Sequence, residues 1–69
     1  MAYIEDNPRY HAVKMRGMLN EVIRHCREDL EKVSEPKAQA IFQTTAEVLT
    51  GLTTAYSHYE VELEEAMRH

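Results

Sequence analysis

The sequence predicts an all-α protein, an antiparallel two-helix hairpin that dimerises into a four-helix bundle. Two long stretches carry apolar residues at the spacing of an α-helix, and one break at residues 34–36 separates them. The apolar stripe of each stretch is also too wide for a single partner helix to cover. These observations indicate a single domain, residues 1–69, with a helix over about 8–33, a turn at 34–35 and a helix over about 36–68.

The first helix is predicted to begin at Asn7-Pro8. Asn can accept hydrogen bonds from the free N–H groups of the first turn, and Pro supplies a suitable φ and has no N–H to lose. Residues 1–6 show no clear period and form a lead-in, in which Tyr3 and Ile4 are available to pack. The apolar residues of the helix gather on a face about 100° wide. They are Ala12, Met15, Leu19, Val22, Ile23, Cys26, Leu30 and Val33.

The second helix is the longer of the two and carries the wider stripe, about 120° across. No proline interrupts it, and adjacent apolar pairs such as Val48-Leu49 exclude the alternation of a β-strand. The stripe consists of Ala38, Ile41, Phe42, Thr45, Val48, Leu49, Leu52, Tyr56, Tyr59, Leu63, Ala66 and Met67.

The connection between the helices is short enough to force an antiparallel hairpin. Pro36 disfavours helical geometry at the preceding residue and cannot donate a hydrogen bond to the previous turn, so the first helix must stop. Two helices joined by so few residues become antiparallel neighbours. Folding the chain at residues 34–35 predicts that Leu19 lies level with Leu49 and Leu52.

The charges support the same orientation. Antiparallel packing places Arg9, Lys14 and Arg16 alongside the acidic end of the second helix. Exposed ion pairs contribute only about 0–1 kcal/mol each, so we expect them to select the orientation more than to stabilise it. The acidic residues are Glu60, Glu62, Glu64 and Glu65.

A chain of 69 residues needs support beyond its own core. At this size folding hides only about 60% of the surface that the unfolded chain exposes. A single cysteine excludes an intrachain disulfide, and no zinc-binding pattern is present, so self-association is the support that remains. The predicted shared core of the dimer comprises Ala12, Leu19, Ile23, Cys26, Leu30, Phe42, Leu49, Leu52 and Tyr56.

Composition narrows the class of function. The net charge of −4 argues against general nucleic-acid binding, and no segment approaches the length of a membrane span. The absence of a signal-peptide pattern and the lone thiol favour the cytoplasm. With no catalytic or cofactor motif, we expect a non-enzymatic interaction or assembly module. Its partner would be itself, as a dimer or a tetramer, or another protein.

Two ligand-dependent alternatives remain open. Glu21 and His25 are four residues apart, as are His58 and Glu62, which allows a metal contact, although the Glu-x-x-His pairs of di-iron bundles are missing. The tetrapeptide His11-Ala-Val-Lys14 resembles the His-x-x-Lys spacing of histidine phosphotransfer domains, which are four-helix bundles. That resemblance implies a phosphoacceptor role for His11. Those domains carry Gly after the Lys, where this chain has Met, and their His lies in the middle of a helix.

A longer resemblance covers about a third of the chain. Residues 36–52 and 55–60 resemble a pattern in small uncharacterised bacterial proteins. The resemblance implies a bacterial, cytoplasmic source and carries no activity. For Cys26 two interpretations stand: a small hydrophobic core residue, or a thiol that meets its counterpart in the second copy.

Overall fold

The computed structural model describes residues 6–67, apart from the side chain of Met67. Two helices, α1 (Pro8–Lys32) and α2 (Pro36–Met67), pack against each other as a hairpin. The predicted all-α hairpin is therefore confirmed. The expected packing of Tyr3 and Ile4 and the expected helix end at Arg68 lie outside the described residues.

The start of α1 has the predicted cap. The Asn7 side-chain oxygen accepts hydrogen bonds from the backbone N–H groups of Arg9 at 2.9 Å and Tyr10 at 3.2 Å. Pro8 takes the first helical position, where its missing N–H costs nothing. At the other end the backbone turns extended at Val33.

Side chains at the start of α2 bind backbone groups around the turn. The Glu35 carboxylate accepts from the N–H of Lys37 at 3.0 Å and of Ala38 at 2.9 Å, so it caps α2. The Gln39 amide of α2 donates to the Val33 carbonyl at 2.9 Å and so ties α2 to the end of α1.

The two helices meet along a seam with the alternating four- and three-residue spacing of a coiled coil. We define the seam by the buried and half-buried side chains at that spacing. They are Ala12, Arg16, Leu19, Ile23, Cys26 and Leu30 of α1, and Phe42, Ala46, Leu49, Thr53, Tyr56, Glu60 and Leu63 of α2.

The ion pairs between the helices have the predicted orientation. Arg16 contacts Glu60, and Arg9 lies 3.7 Å from Glu64, so the start of α1 lies beside the acidic end of α2. The predicted level of Leu19 with Leu49 and Leu52 stays a prediction.

The hairpin is only one helix thick. Its Cα atoms extend 51 × 24 × 13 Å. Among the described residues, the buried hydrophobic side chains are Ala12, Ile23 and Ala46, and no large side chain is fully buried. Two helices in a single layer cannot enclose a core between them, so most seam residues stay half-buried.

Candidate interaction surface

One long side of the hairpin carries mainly polar side chains, with Val13 and Val61 also exposed on it. Arg9 lies 3.7 Å from Glu64 across the two helices, which places both on the same side of the seam. We call this side the polar flank. At 100° per residue it also carries Asn20, Arg27, Glu31, Gln43 and Thr50.

The strongest contact between the helices is an ion pair within the seam. Arg16 donates from Nε to Glu60 Oε2 at 2.6 Å and from a terminal nitrogen to Oε1 at 3.2 Å. The Glu60 side chain is only 13% exposed, so this pair is more buried than the exposed contact that the sequence predicted. Hydrogen bonding from Arg16 holds the pKa of Glu60 below its ordinary value, while burial acts in the opposite direction.

The opposite side of the hairpin is apolar. Because the helices are antiparallel, the sides facing away from the Arg9–Glu64 pair also lie together. Exposed large hydrophobic side chains occupy this side on both helices, and we call it the apolar face. It consists of Met15, Met18 and Val22 of α1, and Ile41, Val48, Leu52 and Tyr59 of α2.

The exposure of this face is large for so small a protein. Ile41 is 63% exposed, Val48 57% and Met18 55%. The seven side chains of the face are each between 38% and 63% exposed. Continuous apolar patches of a few hundred Å² on soluble proteins commonly mark interaction sites.

The direction of the α2 stripe shows why the face stays uncovered. At 100° per residue, the centre of the predicted stripe lies about 50° away from the seam, towards the apolar face. One edge of the stripe, with Phe42 and Leu49, is half-buried in the seam, and the other edge, with Ile41 and Val48, is more than half exposed. A helix with this geometry has room for two neighbours, and the hairpin supplies one.

The polar groups beside the face are satisfied internally. The hydroxyl of Thr45 donates to the Ile41 carbonyl at 2.8 Å. Between residues 38 and 59 the only formally charged residue is Glu47, which points away from the face and accepts a hydrogen bond from Gln43. Covering the α2 half of the face therefore buries no charged side chain between residues 38 and 59.

The predicted core residues divide between the two surfaces. Ala12 and Ile23 are buried in the seam, and Leu52 is 45% exposed on the apolar face. The others are half-buried along the seam: Leu19, Cys26, Leu30, Phe42, Leu49 and Tyr56.

Sequence reasoning missed four seam residues. Ala46 is buried, Thr53 is half-buried, and Arg16 and Glu60 hold core positions of the seam. The small Ala46 and the charged Glu60 lie outside the apolar stripe, so hydrophobic periodicity could not identify them. The alternating four- and three-residue spacing through Leu49 and Tyr56 is the signal that includes both.

The residues suggested for metal or phosphate chemistry are dispersed. Among residues 6–67, no three His, Cys, Asp or Glu side chains converge on one point. Glu21 is engaged by Arg24 at 2.8 Å, and His25 lies 3.9 Å from Glu28. His11 is half-buried in the first turns of α1, with its ring edge-on to the Tyr10 ring at 5.2 Å.

Comparison with protein-family models, with curated proteins and with solved structures finds no match. Neither helix contains, within the described residues, a stretch long and apolar enough to cross a membrane.

Proposed function

We propose that this protein is a non-enzymatic assembly module that works as a self-associating helical hairpin. Two copies bury their apolar faces against each other and form a four-helix bundle. The observation that carries the proposal is an uncovered apolar face in a hairpin whose described part, residues 6–66, holds no fully buried large side chain. The face consists of Met15, Met18, Val22, Ile41, Val48, Leu52 and Tyr59.

A second copy of the chain suits this face in size. A stable interface buries about 800 Å² on each partner, and the apolar face runs along both helices of a hairpin whose Cα atoms extend 51 Å by 24 Å. Both faces are flat, long and uncharged along α2, so two copies match in shape and polarity. The polar flanks would then form the two outer surfaces of the bundle, where their ion pairs stay in water.

Self-association also supplies the stability that the hairpin lacks. A two-helix layer with three buried small or medium side chains has little hydrophobic stabilisation. Closing the apolar faces would turn half-buried seam residues such as Phe42 and Leu49 into core residues. In this proposal folding and assembly are coupled, and the module acts in the cytoplasm of a bacterial source.

Metal binding and phosphotransfer receive no support from a specific contact. The Glu21 carboxylate is held by Arg24, and His11 is half-buried near the helix start. Neither arrangement offers a group of ligands or an exposed phosphoacceptor.

Sedimentation equilibrium of the full chain between about 5 and 100 μM tests the proposal, with circular dichroism at the same concentrations. We expect twice the chain mass of 8.1 kDa. The thermal midpoint should rise with protein concentration, because assembly stabilises the folded form. A helical species of single-chain mass with a concentration-independent midpoint would overturn the proposal. A complex only with a different protein would do the same.

A further inference from the structure

We infer that Met15 and Met18 are a modification site that controls assembly: a hydroperoxide oxidises their thioethers to sulfoxides, and the oxidised copies separate. This inference rests on the proposed self-association and adds its regulation. The observation that carries it is the position of the two methionines of α1, both exposed and both on the apolar face.

The two methionines make up most of the α1 half of the apolar face. Met15 is 38% exposed and Met18 is 55% exposed, and a spacing of three residues places them side by side on the helix. Val22 is the third member of this half, so two of its three large side chains are thioethers. Neither methionine belongs to the seam. A change confined to them therefore alters the face and leaves the side chains between α1 and α2 as they are.

The exposure of both side chains makes their sulfur atoms accessible to a small oxidant in the single hairpin. Hydrogen peroxide transfers one oxygen atom to the sulfur, so the O–O bond breaks and an S–O bond forms. The proton of the transferred oxygen passes to the other oxygen, which leaves as water. The sulfur loses the two electrons that the peroxide gains. The product is a polar sulfoxide, which methionine sulfoxide reductases return to the thioether.

A sulfoxide on this face destabilises the dimer and not the single hairpin. In the single hairpin its oxygen accepts hydrogen bonds from water. In the dimer, Tyr59 is the only one of the seven face side chains with a hydrogen-bond donor, so each copy brings two sulfoxides and one phenol. The Thr45 hydroxyl beside the face already donates to the Ile41 carbonyl at 2.8 Å. Burying sulfoxide oxygens without enough donors therefore opposes association.

Treatment of the full chain with hydrogen peroxide tests the inference. Mass spectrometry of peptides follows sulfoxide formation at Met15 and Met18, and sedimentation equilibrium gives the dissociation constant of the dimer. We expect this constant to rise at least about tenfold when both residues are fully oxidised. Reduction by methionine sulfoxide reductases should restore the starting value.

The matched control is the double variant Met15→Leu, Met18→Leu, which keeps the face apolar and cannot form these sulfoxides. It retains Met1, Cys26 and Met67, so their oxidation affects both proteins alike. Dithiothreitol after the peroxide reverses the disulfide and sulfenic forms of the thiol in both samples. Each protein is compared with its own untreated sample, and the dissociation constant of the double variant should change by less than about twofold.

Met18→Gln tests the same step without an oxidant, because Gln is polar, neutral and a good helix former. It should raise the dissociation constant severalfold, whereas Val13→Gln on the polar flank should not. Unchanged affinity of Met18→Gln, unchanged affinity of the fully oxidised native chain, or equal weakening of the oxidised double variant overturns the inference and leaves the proposed self-association intact. A native chain that sediments as a monomer before oxidation overturns both.

Discussion

The two long sides of the hairpin are built from the same two helices, yet they complete their interactions differently. On the polar flank, Arg9 and Glu64 find each other within one chain, and the seam beside it holds the Arg16–Glu60 pair. On the apolar face, side chains such as Ile41 and Val48 are more than half exposed. The comparison teaches that one side is paired within the chain, whereas the other leaves apolar side chains uncovered, which is what the proposed interface requires.

The largest effect should follow from placing a charge on the apolar face. Leu52→Asp would bury a carboxylate in the dimer, where no partner is available. We expect dimerisation to weaken at least about 100-fold, equivalent to about 3 kcal/mol, as measured by sedimentation equilibrium.

Val61→Asp is the matched control for that substitution. Val61 is 50% exposed, much like Leu52 at 45%, but it lies three residues before Glu64 on the polar flank. The same chemical change there should leave the dissociation constant of the dimer within about twofold of the native value. Equal loss in both variants would show that the two sides do not differ as we describe.

A smaller effect should follow from removing the ion pair in the seam. Because Arg16 lowers the pKa of Glu60 in the folded state, this pair stabilises the fold above the ordinary pKa of Glu. The stabilisation is lost as the pH falls through the lowered pKa. Glu60→Gln should therefore lower the melting temperature by a few degrees at neutral pH, and the variant should lose less stability than the native chain below about pH 4.

Glu62→Gln provides the comparison for Glu60→Gln, because it removes an equal charge from an exposed position of the same helix. The melting temperature of Glu62→Gln should vary with pH in the same way as that of the native chain. Identical acid profiles for native chain and Glu60→Gln, measured by circular dichroism from about pH 2 to 7, would contradict a role for the seam pair.

The smallest effect should come from a position on neither surface. Gly17 lies on α1 away from the seam, and a Cβ built there meets no atom within 4 Å. Gly17→Ala should stabilise the helix by up to about 1 kcal/mol through helix propensity alone. Chemical denaturation measures this gain, and dimer affinity should not fall. A weaker dimer would show that the outer side of α1 also takes part in an interface. That result would contradict the assignment of the interface to the apolar face.

Much of the fold follows from local chemistry that is readable in the sequence. Asn7-Pro8 specifies a helix start, Pro36 specifies the break, and both act through backbone geometry within a few residues. Which charged residues pair across the helices could not be read in the same way. Arg16 and Glu60 are 44 residues apart, and their contact depends on how the two helices pack.

The apolar face shows a second limit. Periodicity identified the α2 stripe, including Ile41 and Leu52. It gave no means to tell which residues of the stripe face α1 and which are left for a second neighbour. The division became visible only when Ala46 and Glu60, which no apolar pattern includes, were found in the seam. Small and charged residues thus set the direction in which α1 packs, and the larger apolar residues beside them remain exposed.

Contacts between copies are tested most directly by isotope-filtered nuclear Overhauser spectroscopy on a mixture of methyl-labelled and unlabelled chains. We predict intermolecular effects at the methyl groups of Met18, Val22 and Leu52, and none at Val13 or Val61, which are exposed outside the apolar face. Effects confined to Val13 and Val61, or no intermolecular effects in a folded sample at high concentration, would contradict the account.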